Sequence, residues 1–378
     1  MKVYLDNAAT TPIAKEVVKE IEPYLYDYFG NPSSTHSFGR KTKNAIEINR
    51  KKIADLIHAK NNEIIFTSGG TEADNMALRC AVHDLEVKRI ITTKIEHHAV
   101  LHTAECLRDN HNINLTFLET DENGHPSISQ LKKLLEDETK TLVTLMHANN
   151  EIGSLLPFQE VAQICAQKSH VYFHSDTVQT MGHYDFNLSE TPIDFLTCSA
   201  HKLHGPKGIG FLYVNNNISL NPLITGGSQE RKNRGGTENL YGIVGLGKAM
   251  EMAYEDLSSH QKHIQGLKSF MIEELKKIDD RIDFNGDINP DRSLYTVLNV
   301  CFPNDVCNSM LLFSLDIHGI ASSGGSACSS GSTQGSHVLA ELPNQECQSV
   351  RFSFSRFNTK EDVEFTLQKI KDIINHGK

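Results

Sequence analysis

At 378 residues and roughly 150 per domain, the chain predicts one large unit and a smaller one, which excludes a single small module. With 39% hydrophobic and 22% charged residues it is ordinary globular material, which excludes disordered, collagen-like and repeat-array classes. Against 47 Asp plus Glu stand 37 Lys plus Arg, so a net charge of −10 repels phosphate backbones and argues against nucleic acid as the main ligand.

Residues 1–10 carry neither an apolar secretory core nor an Arg-rich amphipathic pattern, and no run approaches 18 apolar residues, so a cytoplasmic, membrane-free protein is expected. The first helical pattern, 15–29, places Val17, Val18, Ile21, Tyr24, Leu25 and Tyr28 on one face, and Gly30-Asn31-Pro32 stops it. A second amphipathic helix is expected over 39–58. Short apolar runs at 63–67, 89–93, 114–118, 141–146, 171–175, 195–199 and 209–214 then read as strands. Helical stretches at 72–85, 99–110, 128–136 and 158–167 separate the earlier ones. Such alternation predicts an α/β fold: a mostly parallel seven-stranded sheet flanked by helices. Near residue 240 a long helical stretch, 240–278, is expected to lead the chain away from the sheet. A smaller α+β unit follows, with strands at 296–302 and 349–353 and helices at 308–318 and 360–376. The expected division is a large domain over 15–250 and a small one made of 1–14 and 251–378.

The eight cysteines show no C-x-x-C and no zinc-type spacing, so seven are expected to be buried small apolar residues. Cys328 differs. It sits in 322–332, SSGGSACSSGS, too polar and flexible for core, where a thiol is accessible enough to react.

Open α/β sheets bind ligands at the carboxyl ends of their strands, and five such ends carry polar groups suited to one ligand. Ser68-Gly69-Gly70-Thr71-Glu72 is a Gly-rich turn running into a helix, able to hold a phosphate. Glu96-His97-His98 and 147–153, HANNEIG, follow the next ends. Asp176 closes a strand with Gln179 three residues on, and Ser199-Ala200-His201-Lys202 closes another. Singly, each has a plain structural reading: an N-capped turn, a capping histidine, a capping aspartate, a surface lysine. Together, a lysine beside a carboxylate from the preceding strand is a way to hold an aldehyde cofactor, the lysine as an imine and the carboxylate against a pyridine nitrogen.

Asp6-Asn7-Ala8-Ala9-Thr10-Thr11-Pro12, FTSGGTE at 66–72, EHHA at 96–99, NNEIG at 149–153, SAHK at 199–202, the 322–332 loop and RFS at 351–353 occur in the order found in NifS-like (group I) cysteine desulfurases. The chain resembles that family, part of the class V aminotransferases of pyridoxal-phosphate fold type I, from about residue 4 to 374. The resemblance implies pyridoxal 5′-phosphate as cofactor, with Lys202 holding it and moving a proton, and Asp176 on the ring nitrogen. It implies His97 on the ring face as acid/base, and Asn150 and Gln179 near the ring hydroxyl. Gly70, Thr71, Ser199 and His201 would hold the phosphate, with Thr237 reaching that of a neighbouring subunit in a homodimer. Arg351, with Asn150, would bind the substrate carboxylate. Cys328 would attack the sulfur of L-cysteine, leaving L-alanine and a persulfide to be passed to an acceptor such as an iron–sulfur scaffold, or used in tRNA or cofactor thiolation. No intrinsic metal is implied, although Cys328 could transiently ligate an iron–sulfur cluster.

Three departures stand out. Glu-Pro is missing before Ser336-His337, position 98 is His where Lys is frequent, and Asp176-Thr177-Val178-Gln179 replaces a commoner Asp-Ala-x-Gln. The sequence stops at Lys378, soon after the last helix, so docking of a scaffold through a C-terminal extension is not expected. A selenocysteine or C–S lyase of the same fold is the nearest alternative. An aminotransferase would have no use for Cys328, and a non-catalytic sulfur carrier would have no use for Lys202, His97, Asp176 and Arg351 together.

Overall fold

The computed structural model describes residues 1–305, 310–324, 335–343 and 347–376. Chain order begins with β1 (Val3–Tyr4), α1 (Lys15–Tyr26), α2 (Ser37–Leu56), β2 (Ile64–Thr67), α3 (Gly70–His83), β3 (Arg89–Thr92), α4 (His98–His111), β4 (Asn114–Phe117) and α5 (Ile128–Leu134). It continues with β5 (Thr141–Thr144), α6 (Phe158–Ala166), β6 (Val171–Asp176), β7 (Phe195–Ser199), β8 (Gly210–Val214), α7 (Leu240–Glu255) and α8 (Leu257–Ile278). The last part holds β9 (Asp283–Asn285), β10 (Val297–Pro303), α9 (Leu311–Ile317), β11 (Ile320–Ala321), α10 (His337–Ala340), β12 (Cys347–Ser353) and α11 (Lys360–His376).

Seven strands form the central sheet in the order β2-β8-β7-β6-β5-β3-β4. Neighbours from β7 through β4 are parallel, whereas β8 runs antiparallel to both β7 and β2, with Phe211 opposite Cys198 on one side and Phe66 on the other. Helices cover both faces, which is why β5, Thr-Leu-Val-Thr, is buried at all four positions. On one face α3 and α4 contribute Met76, Leu78, Val100 and Leu107. The other face carries Val17 of α1, Ile46 and Ile53 of α2, Val161 of α6 and Val244 of α7. Because β8 is reversed, the carboxyl ends of β2, β3, β5, β6 and β7 share one edge, where all five polar segments are delivered.

The helical stretch after residue 240 is two helices. Asp256 breaks it at φ −142° and ψ 47°, so α7 stays on the sheet against α1 and α2, and only α8 moves into a second core. There Ile264, Leu267 and Met271 of α8 meet Phe302, Phe352 and Ile370 around the antiparallel sheet β12-β10-β9. The start of the chain joins this core through Val3 and Leu5, with β1 parallel to β11. Of the cysteines read as buried apolar residues, Cys80, Cys165 and Cys198 are so. Cys106 is half-buried, and Cys301 and Cys347 instead form a disulfide, because β10 and β12 bring their Cα atoms to 5.4 Å; a separation of 46 residues gives no hint of that. Cys307 and Cys328 lie outside the described residues. Among the described residues, no helix is long and apolar enough to cross a membrane.

Candidate active site

A cavity of about 230 Å³ opens at the shared strand edge, lined by Gly70, Thr71, His97, Asn150, Asp176, Gln179, Ser199, His201, Lys202 and Arg351. Ten residues singled out in the sequence therefore meet in one place. Thr237 is on the surface outside this cavity, and Cys328 lies outside the described residues.

Lys202 ends the single 3-10 turn that follows β7, and its Nζ donates to the carbonyls of Ala8, at 2.5 Å, and Ala9, at 2.9 Å. Asp176 is the last residue of β6 and is 6% exposed. Its Oδ1 accepts the Val178 amide at 2.8 Å, so it caps the following turn while also facing the cavity. Burial pushes its carboxyl upward, as would a negative charge on Asp74, while the Val178 amide and Lys202 act in the opposite direction.

His97 also does both jobs. Its Nδ1 accepts the Ala99 amide at 3.1 Å and caps α4, which leaves Nε2 to carry the proton of the neutral ring. Burial pushes its pKa down to about 4, with Lys202 the next contributor. His201, held by Thr10 Oγ1 at 3.1 Å, is likewise lowered to about 4 by burial and then Lys202.

The phosphate-type turn is shaped by Gly69 and Gly70. Gly69 caps α3 at φ 150°, and a Cβ on Gly70 would lie 2.8 Å from the Val178 methyl. Backbone and helix start can therefore face the cavity without side-chain cover, as an anion requires. Arg351, on β12, is 1% exposed; Nη1 donates to the Asn150 carbonyl at 2.8 Å and Nη2 to Asp6 Oδ1 at 2.9 Å. Thr237 ends a segment pinned from within the chain: Glu230 takes a two-pronged contact from Arg50 at 2.7 and 2.8 Å and the Phe66 amide at 2.9 Å.

Sequence reasoning missed Asp74, Asp6 and the carbonyls of Ala8 and Ala9. Asp74 lies one helical turn after Gly70 and so on the same face of α3, a spacing that was available to find it. Asp6 sits within the first motif quoted for the resemblance, but nothing local ties it to Arg351. His98, singled out as a departure, stacks on His102 with ring centroids 4.5 Å apart and meets His337 at a tilt, 4.3 Å away.

A family model for class-V aminotransferases matches residues 3–365. The cysteine desulfurase IscS of Dictyoglomus turgidum is 44% identical over 378 residues, covering 99% of this chain and 94% of the relative. Among solved structures, a NifS-like protein superposes with a TM-score of 0.91 at 35% identity, covering 100% of both chains. SspA, solved in complex with cysteine, gives 0.79 at 33% identity over 94% of this chain and 100% of its own. The chain belongs to the class-V aminotransferases, a family that uses pyridoxal phosphate. Within that family it is one of the cysteine desulfurases of the NifS-like kind.

Proposed function

We propose that this enzyme binds pyridoxal phosphate at Lys202 and takes the sulfur of L-cysteine onto Cys328. The observation that carries this reading is the convergence of Lys202, Asp176 and Arg351 on one cavity, an amine and a carboxyl at adjoining strand ends opposite a buried guanidinium. The donor set fits the cofactor. An amine suits its aldehyde, a buried carboxyl its ring nitrogen, a flat neutral imidazole its face, and the side-chain-free start of α3 its phosphate. When bound, the group supplies an electron sink at the substrate Cα. Lys202 Nζ moves the Cα proton, His97 Nε2 gives and takes a proton at the reacting face, and Asp176 holds the ring-nitrogen proton. Arg351 fixes the substrate carboxylate, using a planar donor fork that Lys lacks.

The thiolate of Cys328 then attacks the substrate Sγ. A sulfur–sulfur bond forms, the substrate Cβ–Sγ bond breaks with its electron pair left on carbon, and protonation there completes L-alanine. The balance is L-cysteine plus enzyme thiol giving L-alanine plus enzyme persulfide, with no outside oxidant. The persulfide passes to an acceptor, a protein of iron–sulfur assembly or a thiolation pathway.

Residues 15–250 serve as the cofactor-binding domain, and 1–14 with 251–378 as the smaller domain bearing Cys328. A homodimer is supported by an apolar surface on α1, α2 and α7 and beside them, with Tyr26 at 73% exposure, Phe29 at 69%, Phe38 at 56% and Tyr241 at 50%. Thr237, exposed and outside its own cavity, is free to serve a neighbour's phosphate. Brief exposure of the holoenzyme to L-cysteine, followed by mass spectrometry and an alanine assay, tests the reading. One added sulfur mapped to Cys328, with alanine formed, is expected. Alanine without the adduct would point to a lyase, and neither product would overturn the reading.

A further inference from the structure

We propose that Asp74 is a positioning residue of the ring-nitrogen site, a buried carboxyl that stays protonated so that its neighbour Asp176 carries the single negative charge of the pair. This deepens the reading above and rests on it for the part played by the ring nitrogen.

Asp74 is 1% exposed, and its carboxyl oxygen, one of Asp176 and a ring nitrogen of His97 all lie within 4.8 Å of one another. Two carboxylates that close in a dry site cannot both ionise cheaply. What decides between them is the company each keeps. Asp176 accepts a backbone amide and feels Lys202, both of which favour its charged form. Among the described residues no Lys or Arg pairs with Asp74. His174 Nε2 stands 3.5 Å from Asp74 Oδ1, which has no hydrogen-bond partner among the described residues, and the Thr197 hydroxyl is the contact there that favours the anion.

The surroundings reinforce that assignment from every side. Glu96, in the segment between β3 and α4, adds a third buried acid, occupied by the Met146 amide at 3.0 and 3.1 Å. On β6, His174 is kept neutral by burial and held by Thr144 at 2.8 Å and Thr197 at 3.1 Å. In the tautomer with its proton on Nδ1, its Nε2 accepts from a protonated Asp74 Oδ1, 3.5 Å away. Burial raises both carboxyls, so the hydrogen-bond partners of each, not burial, distinguish them. With Asp74 neutral, Asp176 faces one positive ring nitrogen with one negative charge, and the buried site closes without a surplus.

The test is infrared difference spectroscopy of the cofactor-free protein near neutral pH, wild type against Asp74→Asn. The variant is nearly isosteric and mimics the protonated acid. Loss of one protonated-carboxyl band is expected, with no loss of carboxylate absorption. Loss of a carboxylate band instead would overturn the proposal. Should Asp74→Asn not fold, alkaline titration of the wild type decides: a buried protonated carboxyl must disappear as pH rises, and none doing so is contrary to the proposal. A second arm loads the protein with pyridoxamine phosphate, which does not react with Lys202. The Asp74 band should persist in the complex, and its disappearance on loading would overturn the inference. If the wild type takes up no such ligand, the cofactor reading fails while the cofactor-free spectra still report on Asp74.

Discussion

Arg351 and Asp6 form an ion pair at 2.9 Å that ties the second residue after β1 to β12, and Ser323 Oγ donates to the same Asp6 oxygen at 2.8 Å. With Nη1 on the Asn150 carbonyl and Nη2 on Asp6, Arg351 Nε remains buried with no hydrogen-bond partner among the described residues. A guanidinium so oriented keeps Nε and the second proton of each Nη as donors for an incoming carboxylate.

Arg351→Lys keeps the charge opposite Asp6 but loses the planar fork. Charged hydrogen bonds of this kind contribute about 1.5–3 kcal/mol, so kcat/KM for L-cysteine should fall roughly 10- to 100-fold. Cofactor content, read by absorbance, should be unchanged. Equal kcat/KM in the two proteins would remove Arg351 from substrate binding.

Lys202→Ala should leave little pyridoxal phosphate after dialysis, since covalent attachment and the amine go together. The visible absorption of the purified variant checks this. A band as strong as in the wild type would place the attachment elsewhere.

Cys328→Ala separates cofactor chemistry from sulfur transfer. The variant should keep the cofactor absorption and its change on mixing with L-cysteine, yet form neither protein persulfide nor alanine above background. Full alanine production would sink the persulfide route.

His147 gives a pH dependence with a definite sign. Its ring packs at a tilt on Phe158 with centroids 4.8 Å apart, bonds Thr180 Oγ1 at 2.9 Å, and burial pushes its pKa down to about 3. Because the folded value lies below the unfolded one, near 6.5, the stability linked to this ring is intact above about pH 6.5 and is lost as pH falls toward 3. Between about pH 7.5 and about pH 5 the loss is about 2 kcal/mol. His147→Gln cannot ionise, so its denaturation midpoint should drop less over that interval. Identical drops would show that His147 does not carry this linkage.

Much of this was legible in the sequence for a physical reason: strands covered on both faces need unbroken apolar runs, and the polar residues following them stand out. Phe195–Ser199 and Lys360–His376 match their expected limits. Strand direction is not encoded in periodicity, so the reversal of β8 was invisible. So were β1 and β11, two residues each, and β9, whose residues Asp283, Phe284 and Asn285 are mostly polar. Asp176 and Lys202 were readable because the first closes an apolar strand and the second follows one by a single turn. Asp74 was missed despite its one-turn spacing from Gly70, because an acid in the first turns of a helix is ordinary favourable placement against the dipole, and only tertiary packing buries it against Asp176.

Glu230, Arg231 and Lys232 sit consecutively at φ 44°, 56° and 73°, a left-handed run that costs about 1–2 kcal/mol per residue and is held by the Arg50–Glu230 pair. The segment leading to Thr237 thus has its shape before anything touches it. A second copy of the chain meeting this surface would find a finished template, and association would surrender little further conformational freedom there.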